Sequence, residues 1–312
     1  MPFFLILIII AAAGSYLYTK SNNVSKAILQ ASQNRFTLKF QIKEKDRKNA
    51  EAFLEKANLP ANLMEGITFE VDATSSAVLA FALPSQADLT LGTKNIGFTG
   101  KYQGLRLNTF QFDEVKMPAS TTLAIAGSAL PNFLKTHYKL PGSFLTFLSD
   151  PKKPLYFFVF NQNADWVMMF KNDPTKTLLP QSLGLSEESF KEEEFDDQLK
   201  LSLIRAKDIN DEEVTLAYFS LDNWSYLSSS RDSAKTIIKI QRNQLEADTF
   251  KLRKTNPDTA FAITFNNEEQ LGDNFFNLIF SEKPAFSENL KKVKHLEFAL
   301  RKDSFSGLIE LK

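Results

Sequence analysis

The 312-residue sequence lacks cysteine, which excludes disulfides, cysteine-ligated zinc, iron–sulfur clusters and thiol nucleophiles. Histidine is almost as scarce, because His137 and His295 are its two representatives. Glycine occurs 11 times, too rarely for a collagen-like or glycine-loop-rich chain. The 37 basic residues balance the 37 acidic ones, so no global field favours nucleic acid, an anionic membrane surface or an acidic substrate.

Phenylalanine is abundant, with 29 copies, and 43% of the residues are hydrophobic. A chain of this length and apolar content can form one large domain or two of ordinary size. The phenylalanine content predicts a core built on aromatic rings.

Residues 1–19 contain an uncharged apolar stretch from Pro2 to Tyr18, followed by Lys20. Its uncharged apolar content predicts a single transmembrane helix that anchors the protein in a membrane, although the stretch is slightly short for a hydrocarbon core of about 30 Å. A cleaved signal peptide that ends at the alanines 11–13 is the alternative. The anchor is favoured because the apolar stretch continues past these alanines.

The orientation of this predicted anchor is harder to derive. Lys20, Lys26 and Arg35 follow the span, and the positive-inside rule would keep such a body in the cytoplasm. A short apolar segment ahead of a large body nevertheless usually works as an export signal. We therefore expect a single-pass protein with an extracytoplasmic body.

Residues 20–34 show helical spacing at Val24, Ala27, Ile28 and Ala31, which predicts a spacer helix between membrane and body. A second helix is predicted over 46–58, with Asp46 as its N-cap.

Apolar and polar residues alternate in many later segments, which predicts strands with one buried and one wet face. These segments are 36–42, 67–71, 77–83, 199–203, 260–265 and 295–301. Further strands are predicted over 121–126, 165–171 and 305–311. Leu155 to Phe160 is apolar on both faces and predicts a central strand. Further helices are expected over 128–138, 268–280 and 287–294. The pattern predicts an α+β fold, with antiparallel twisted sheets and helices packed on one face.

We expect two α+β sub-domains, over residues 35–115 and 116–312. Met117-Pro118 and the acidic segment 186–197 mark candidate boundaries. The acidic segment is expected to be a solvated helix or loop, and weak cation binding is its functional alternative.

One stretch resembles a known family. A strand from Val214 turns at 221–223, returns through Trp224, Tyr226 and Leu227, and enters a helix through serines. Residues 245–250 and a proline-led strand over 257–263 follow. This order resembles a bacterial family of membrane-anchored, extracytoplasmic proteins of unknown function, over roughly 210–312. The resemblance implies an N-terminal anchor and repeated α+β units, and it brings no catalytic residues.

The sequence contains no P-loop, no G-x-S-x-G elbow and no calcium loop with its glycine in place. We predict no catalytic residues, no metal site, no cofactor and no nucleic-acid partner. One apolar cluster has two interpretations, as a core layer or as a groove for a lipid-like ligand. Its candidate ligand-binding residues are Phe158, Phe160, Trp166, Met168 and Phe170.

The leading hypothesis is thus a non-catalytic, membrane-tethered envelope protein that acts as a binding or scaffold module through a protein partner. A carrier or sensor of an apolar ligand is the alternative.

Overall fold

A computed structural model describes residues 24–32, 35–59, 67–70, 85–101, 108–127, 134, 137–148, 154–161, 165–171, 186–196, 199–208, 210–250, 259–267 and 291–312. Two compact units emerge from its contacts. Unit 1 comprises residues 1–109, 258–270 and 282–312, and unit 2 comprises residues 110–257 and 271–281.

The elements are numbered here in chain order. The first half contains β1 (Ser25–Ser32), β2 (Arg35–Gln41), α1 (Glu44–Ala57), β3 (Ile67–Glu70), β4 (Ser85–Leu91), β5 (Asn95–Lys101), β6 (Val115–Pro118), β7 (Leu123–Gly127), β8 (Tyr138–Lys139), α2 (Gly142–Leu148), β9 (Leu155–Phe160) and β10 (Asp165–Lys171). The second half contains β11 (Phe190–Asp196), β12 (Leu199–Asp208), β13 (Glu213–Leu221), β14 (Trp224–Ser228), α3 (Arg231–Gln241), β15 (Ala247–Phe250), β16 (Thr259–Asn266), β17 (Val293–Arg301) and β18 (Ser304–Leu311). A 3-10 turn, Glu187–Ser189, precedes β11.

Unit 1 contains an antiparallel sheet with the strand order β16-β17-β18-β5-β4-β1-β2-β3. The register aligns apolar side chains of neighbouring strands on one face, where Leu89 lies opposite Phe98 and Phe98 opposite Gly307. The rings of Phe98, Phe298 and Phe305 lie 6.4–6.5 Å apart on this face and are buried. Polar residues such as Thr99 and Ser306 alternate with them on the other face, as the sequence pattern predicts.

Helix α1 belongs to unit 1 and buries Ala50, Phe53 and Ala57, a spacing that places them on one face. The helix ends where Asn58 adopts a left-handed conformation with φ 57°. Asp46 is not its N-cap, because the helix begins after Lys43. The Asp46 carboxylate instead accepts a 2.7 Å hydrogen bond from the Ser25 hydroxyl.

The strands of unit 2 are antiparallel and follow the order β11-β12-β13-β14-β10-β9-β7, with β8 beside β12. Strand β9 lies between β10 and β7, and its six residues are all buried, as expected for a strand covered on both faces. Helix α3 packs on one face of this sheet, and its inward side contains Ala234, Ile237 and Ile238. The ribbon of β6 and β15 also belongs to this unit.

The predicted α+β class with helices packed on one face is wrong. The described residues form mostly antiparallel strands, and short helices accompany them. Among these residues no helix has the length and hydropathy needed to cross a bilayer. The predicted transmembrane helix falls on residues 1–19, which lie outside the described residues, as do the helix expected over 268–280 and the strand expected over 77–83.

Two local predictions also need correction. The spacer helix expected within 20–34 is instead strand β1, which pairs with β2 and β4. Ala27 is fully buried between Phe40 and Ala87, so tertiary packing decides the conformation of a segment whose spacing also fits a helix. The acidic segment, expected to be a helix or loop, contains the edge strand β11, in which Lys191, Glu192 and Glu194 are exposed.

Gly307 tests the packing of unit 1. A methyl group at this position would overlap the Phe98 ring and approach the Glu297 carbonyl oxygen to 2.7 Å. We expect Gly307→Ala to lower the free energy of unfolding by about 1–3 kcal/mol, measured by chemical denaturation. Gly97→Ala is the matched control, because its methyl group would meet Thr90 Cβ at an ordinary 3.6 Å. Equal effects of the two substitutions would contradict the described packing.

Candidate functional site

The candidate residues lie on the hairpin of β9 and β10 in unit 2. Register places Phe158 opposite Val167 and Phe160 opposite Asp165, so these four side chains share one face. This face is called the α3 face, because Asp165 bonds to Ser233 of that helix. Trp166, Met168 and Phe170 lie on the opposite face.

The five predicted residues are therefore divided between two faces and do not line one surface. Phe158, Phe160, Trp166 and Met168 are each at most 1% exposed, whereas Phe170 is half-buried. Phe158 and Phe160 thus share one face, and Trp166, Met168 and Phe170 share the other. Sequence alone could not reveal this division, because a run that is apolar on both faces hides the strand's period of two.

Aromatic neighbours fill the α3 face around Tyr156 and Phe158. The Phe250 ring lies 6.0 Å from each of them, and Phe112 and Trp224 meet Tyr156 edge-on at 6.0 and 5.7 Å. Such edge-to-face pairs stabilise a packed core beyond their buried area.

On the opposite face, Trp166 is held at both of its ends. Its indole N–H donates a 2.9 Å hydrogen bond to the Tyr138 hydroxyl, and its ring lies 6.0 Å from Phe157. A buried indole that lost this acceptor would retain an unsatisfied donor, so the bond fixes the ring in one orientation.

Asp165 connects β10 to the start of α3. Its carboxylate accepts hydrogen bonds from the hydroxyls of Ser229 and Ser233 and, at 2.8 Å, from the Asn161 side-chain amide. Ser230 is the N-cap of α3, and its hydroxyl accepts from the Ser233 amide at 3.1 Å. The serine run predicts this cap, but no sequence signal connects it to Asp165, some 64 positions away.

A second polar group surrounds the end of β10. The Lys171 ammonium lies 2.9 Å from an Asp113 carboxylate oxygen and 5.7 Å from the centre of the Trp224 ring. The Asp113 backbone amide donates a 2.7 Å hydrogen bond to the Tyr156 hydroxyl. The ion pair is 45% and 38% exposed, so it contributes little to stability, and its geometry positions the segment before β6.

Buried tyrosines retain their protons in this core. Burial raises the pKa of both Tyr156 and Tyr226 far above the usual tyrosine value, and the Asp222 carboxylate adds to the effect at Tyr226. Burial also raises the pKa of Tyr138. These phenols are neutral hydrogen-bonding groups near pH 7 and are poorly suited to act as bases or nucleophiles.

The ionisable groups that the structure describes do not gather into a metal-binding set. No three histidine or carboxylate side chains of the described ranges are placed to share an ion. His295 in unit 1 faces Asn266 Oδ1 at 2.5 Å through Nδ1, and its Nε2 is 3.1 Å from a Glu297 oxygen. These contacts join β17 to β16 and fix the ring.

No protein-family model and no curated protein matches the chain. The family resemblance of residues 210–312 therefore stays a prediction. Two solved structures, crystal forms III and I of TP0453, show partial likeness at 9% identity. Form III has a TM-score of 0.36 and covers 59% of this chain and 72% of its own, and form I has 0.30, 58% and 68%. Overlap at this level establishes neither a shared fold nor a shared function.

Tyr226 gives a pH prediction for unit 2. Because burial raises its pKa, the stability that this phenol contributes is complete below about pH 10, where the unfolded chain ionises, and is lost as pH rises through the folded pKa. We expect the free energy of unfolding of the native protein to fall above pH 10, and Tyr226→Phe to lessen that fall.

Phe160→Leu is the control for this prediction, because Phe160 is fully buried in the same unit, lies on β9 away from Tyr226 and does not titrate. It should lower stability equally at every pH. An alkaline fall that is the same in native protein and Tyr226→Phe would refute the assignment. Denaturant unfolding between pH 7 and 11 supplies the data.

Proposed function

We propose that the chain is a non-catalytic binding or scaffold module, tethered to a membrane by residues 1–19 with its body outside the cytoplasm. The observation that carries the proposal is the structural use of the polar groups in unit 2. Asp165 fixes α3 to β10, Asp113 holds Lys171, and burial keeps Tyr156 neutral.

The packing of the hairpin also supports this proposal over the apolar-ligand alternative. Ligand pockets are concave surfaces whose lining residues face a common space. The five candidate residues lie on two faces, and four of them are buried among protein side chains. The hairpin therefore fits a core layer better than a groove.

The tether can be tested by cell fractionation. We expect the full chain to sediment with membranes, to resist high salt and to be released by detergent, because apolar side chains and not charges would hold it. A variant without residues 1–19 retains every described residue and should remain in the supernatant. Membrane association of both forms, or of neither, would contradict the assignment to residues 1–19.

A reporter active only in the cytoplasm, fused after Lys312, should be inactive, and its activity would refute the proposed orientation.

The non-catalytic role is tested by conservative substitutions of the buried polar groups. Asp165→Asn and Tyr156→Phe remove any acid or base function and preserve most of the side-chain volume. If these groups serve structure alone, each variant should restore the phenotype of a strain that lacks the gene. This holds for a variant whose free energy of unfolding stays within about 1–2 kcal/mol of the native value. A variant that folds normally and fails to restore the phenotype would point to chemistry at the substituted residue.

A further inference from the structure

The described chain of unit 1 begins just before β1, a few residues after position 19. Strand β1 is hydrogen-bonded to β2 on one side and to β4 on the other. At its first residue, the buried Ser25 hydroxyl accepts a 2.9 Å hydrogen bond from the Lys43 amide and donates to Asp46. Five residues separate position 19 from Ser25, and a five-residue segment spans at most about 17 Å.

Strand register shows which parts of unit 1 lie at this same end. Ser25 pairs with Leu89, the β4–β5 turn follows Leu91, and Asn95 pairs with Glu310 near the end of β18. The Leu311 amide donates to the Lys94 carbonyl at 2.7 Å, and the Lys312 amide donates to the Lys292 carbonyl at 3.0 Å. The starts of β1, α1 and β17 and the end of β18 therefore share one rim of the sheet.

This end is rich in lysine. Its lysines, called here the lysine rim, are exposed or half-buried: Lys43, Lys45, Lys94, Lys291, Lys292, Lys294 and Lys312. The carboxylates described at the same end are Glu44, Asp46 and Glu310. Seven lysines against three carboxylates give a formal charge of 7 − 3 = +4 on a chain of zero net charge.

All three carboxylates already have partners, and that of Glu44 lies 3.6 Å from the Arg47 guanidinium. Asp46 accepts from the Ser25 hydroxyl, and Glu310 lies 3.6 Å from the Lys294 ammonium. The remaining positive charge is drawn from four separate chain segments, so no run in the sequence reveals it. The fold assembles it beside the start of β1.

We propose that the lysine rim binds the anionic headgroups of the membrane that residues 1–19 enter. The inference rests on the proposed tether, which would keep the rim within about two Debye lengths of the bilayer at physiological salt. A lysine that comes within one Debye length of an anionic surface favours association by about fivefold, and the tether would allow the rim to approach the bilayer that closely. The tether supplies attachment, and the rim sets which end of unit 1 faces the lipid and which lipids are preferred.

The test offers detergent-solubilised full chain to vesicles of phosphatidylcholine, alone or mixed with phosphatidylglycerol, and measures the bound fraction by flotation. We expect preference for the anionic vesicles of at least about tenfold at low salt, lost at high salt. The rim variant Lys94→Gln, Lys292→Gln, Lys312→Gln should lose this preference. The control variant Lys56→Gln, Lys101→Gln, Lys302→Gln removes the same charge from exposed sites of unit 1 away from this end, since Lys56 lies in the last turn of α1, and it should retain the preference.

The outcomes separate the two proposals, once thermal unfolding confirms that all variants fold. Equal binding to both vesicle types supports the tether and overturns the rim. Binding to anionic vesicles alone supports the rim and overturns the tether, and binding to neither overturns both. Full anionic preference in the rim variant overturns the rim. The rim proposal is also overturned if the rim variant loses affinity for duplex DNA while its preference for anionic vesicles is unchanged.

Discussion

Burial of aromatic side chains against antiparallel sheet faces is the constraint on which both units depend. A buried phenylalanine contributes about 1.5–3 kcal/mol relative to an exposed one, and the chain has 29 of them. In unit 1 this packing uses one face, where Phe98, Phe298 and Phe305 meet, and the other face stays polar. In unit 2 both faces of β9 are buried.

This difference determines where polar side chains can lie. Around β9 a polar group must find a partner within the protein, since an unsatisfied buried donor or acceptor costs about 1–3 kcal/mol. Asp165 finds the serines that start α3, and the Trp166 indole finds Tyr138. In unit 1, charged side chains can collect at the ends of strands and remain solvated. The same burial constraint therefore produces a core with paired polar groups in unit 2 and a charged rim in unit 1.

Much of the strand pattern can be predicted from sequence, because a strict period of two has one structural explanation. The predictions for β2 and β16, which alternate, agree with the observed strands within two residues at each end. Those for β9, β10 and β18 agree as closely, and for β9 the signal is a continuous apolar run and not a period of two. The failures have a physical cause as well. Alanine and isoleucine in β1 fit helical and extended conformations alike, and pairing with β2 and β4 decides between them.

The candidate site was harder to predict. Apolar content located the hairpin, but the division of Phe158 and Trp166 between two faces depends on register, which contacts set. The lysine rim was likewise invisible, since it requires knowing that the β4–β5 turn lies beside the start of β17. Long-range pairing produces both features, and no local pattern encodes it.

Amide hydrogen exchange across residues 155–160, with and without detergent-free lipid vesicles, tests the central claim most directly. Strand β9 is bonded to β7 and β10 on its two sides, so a filled core predicts exchange only through global unfolding, at a rate that vesicles do not change. Fast exchange of these amides, slowed by added lipid, would instead reveal a ligand-binding groove at the centre of unit 2.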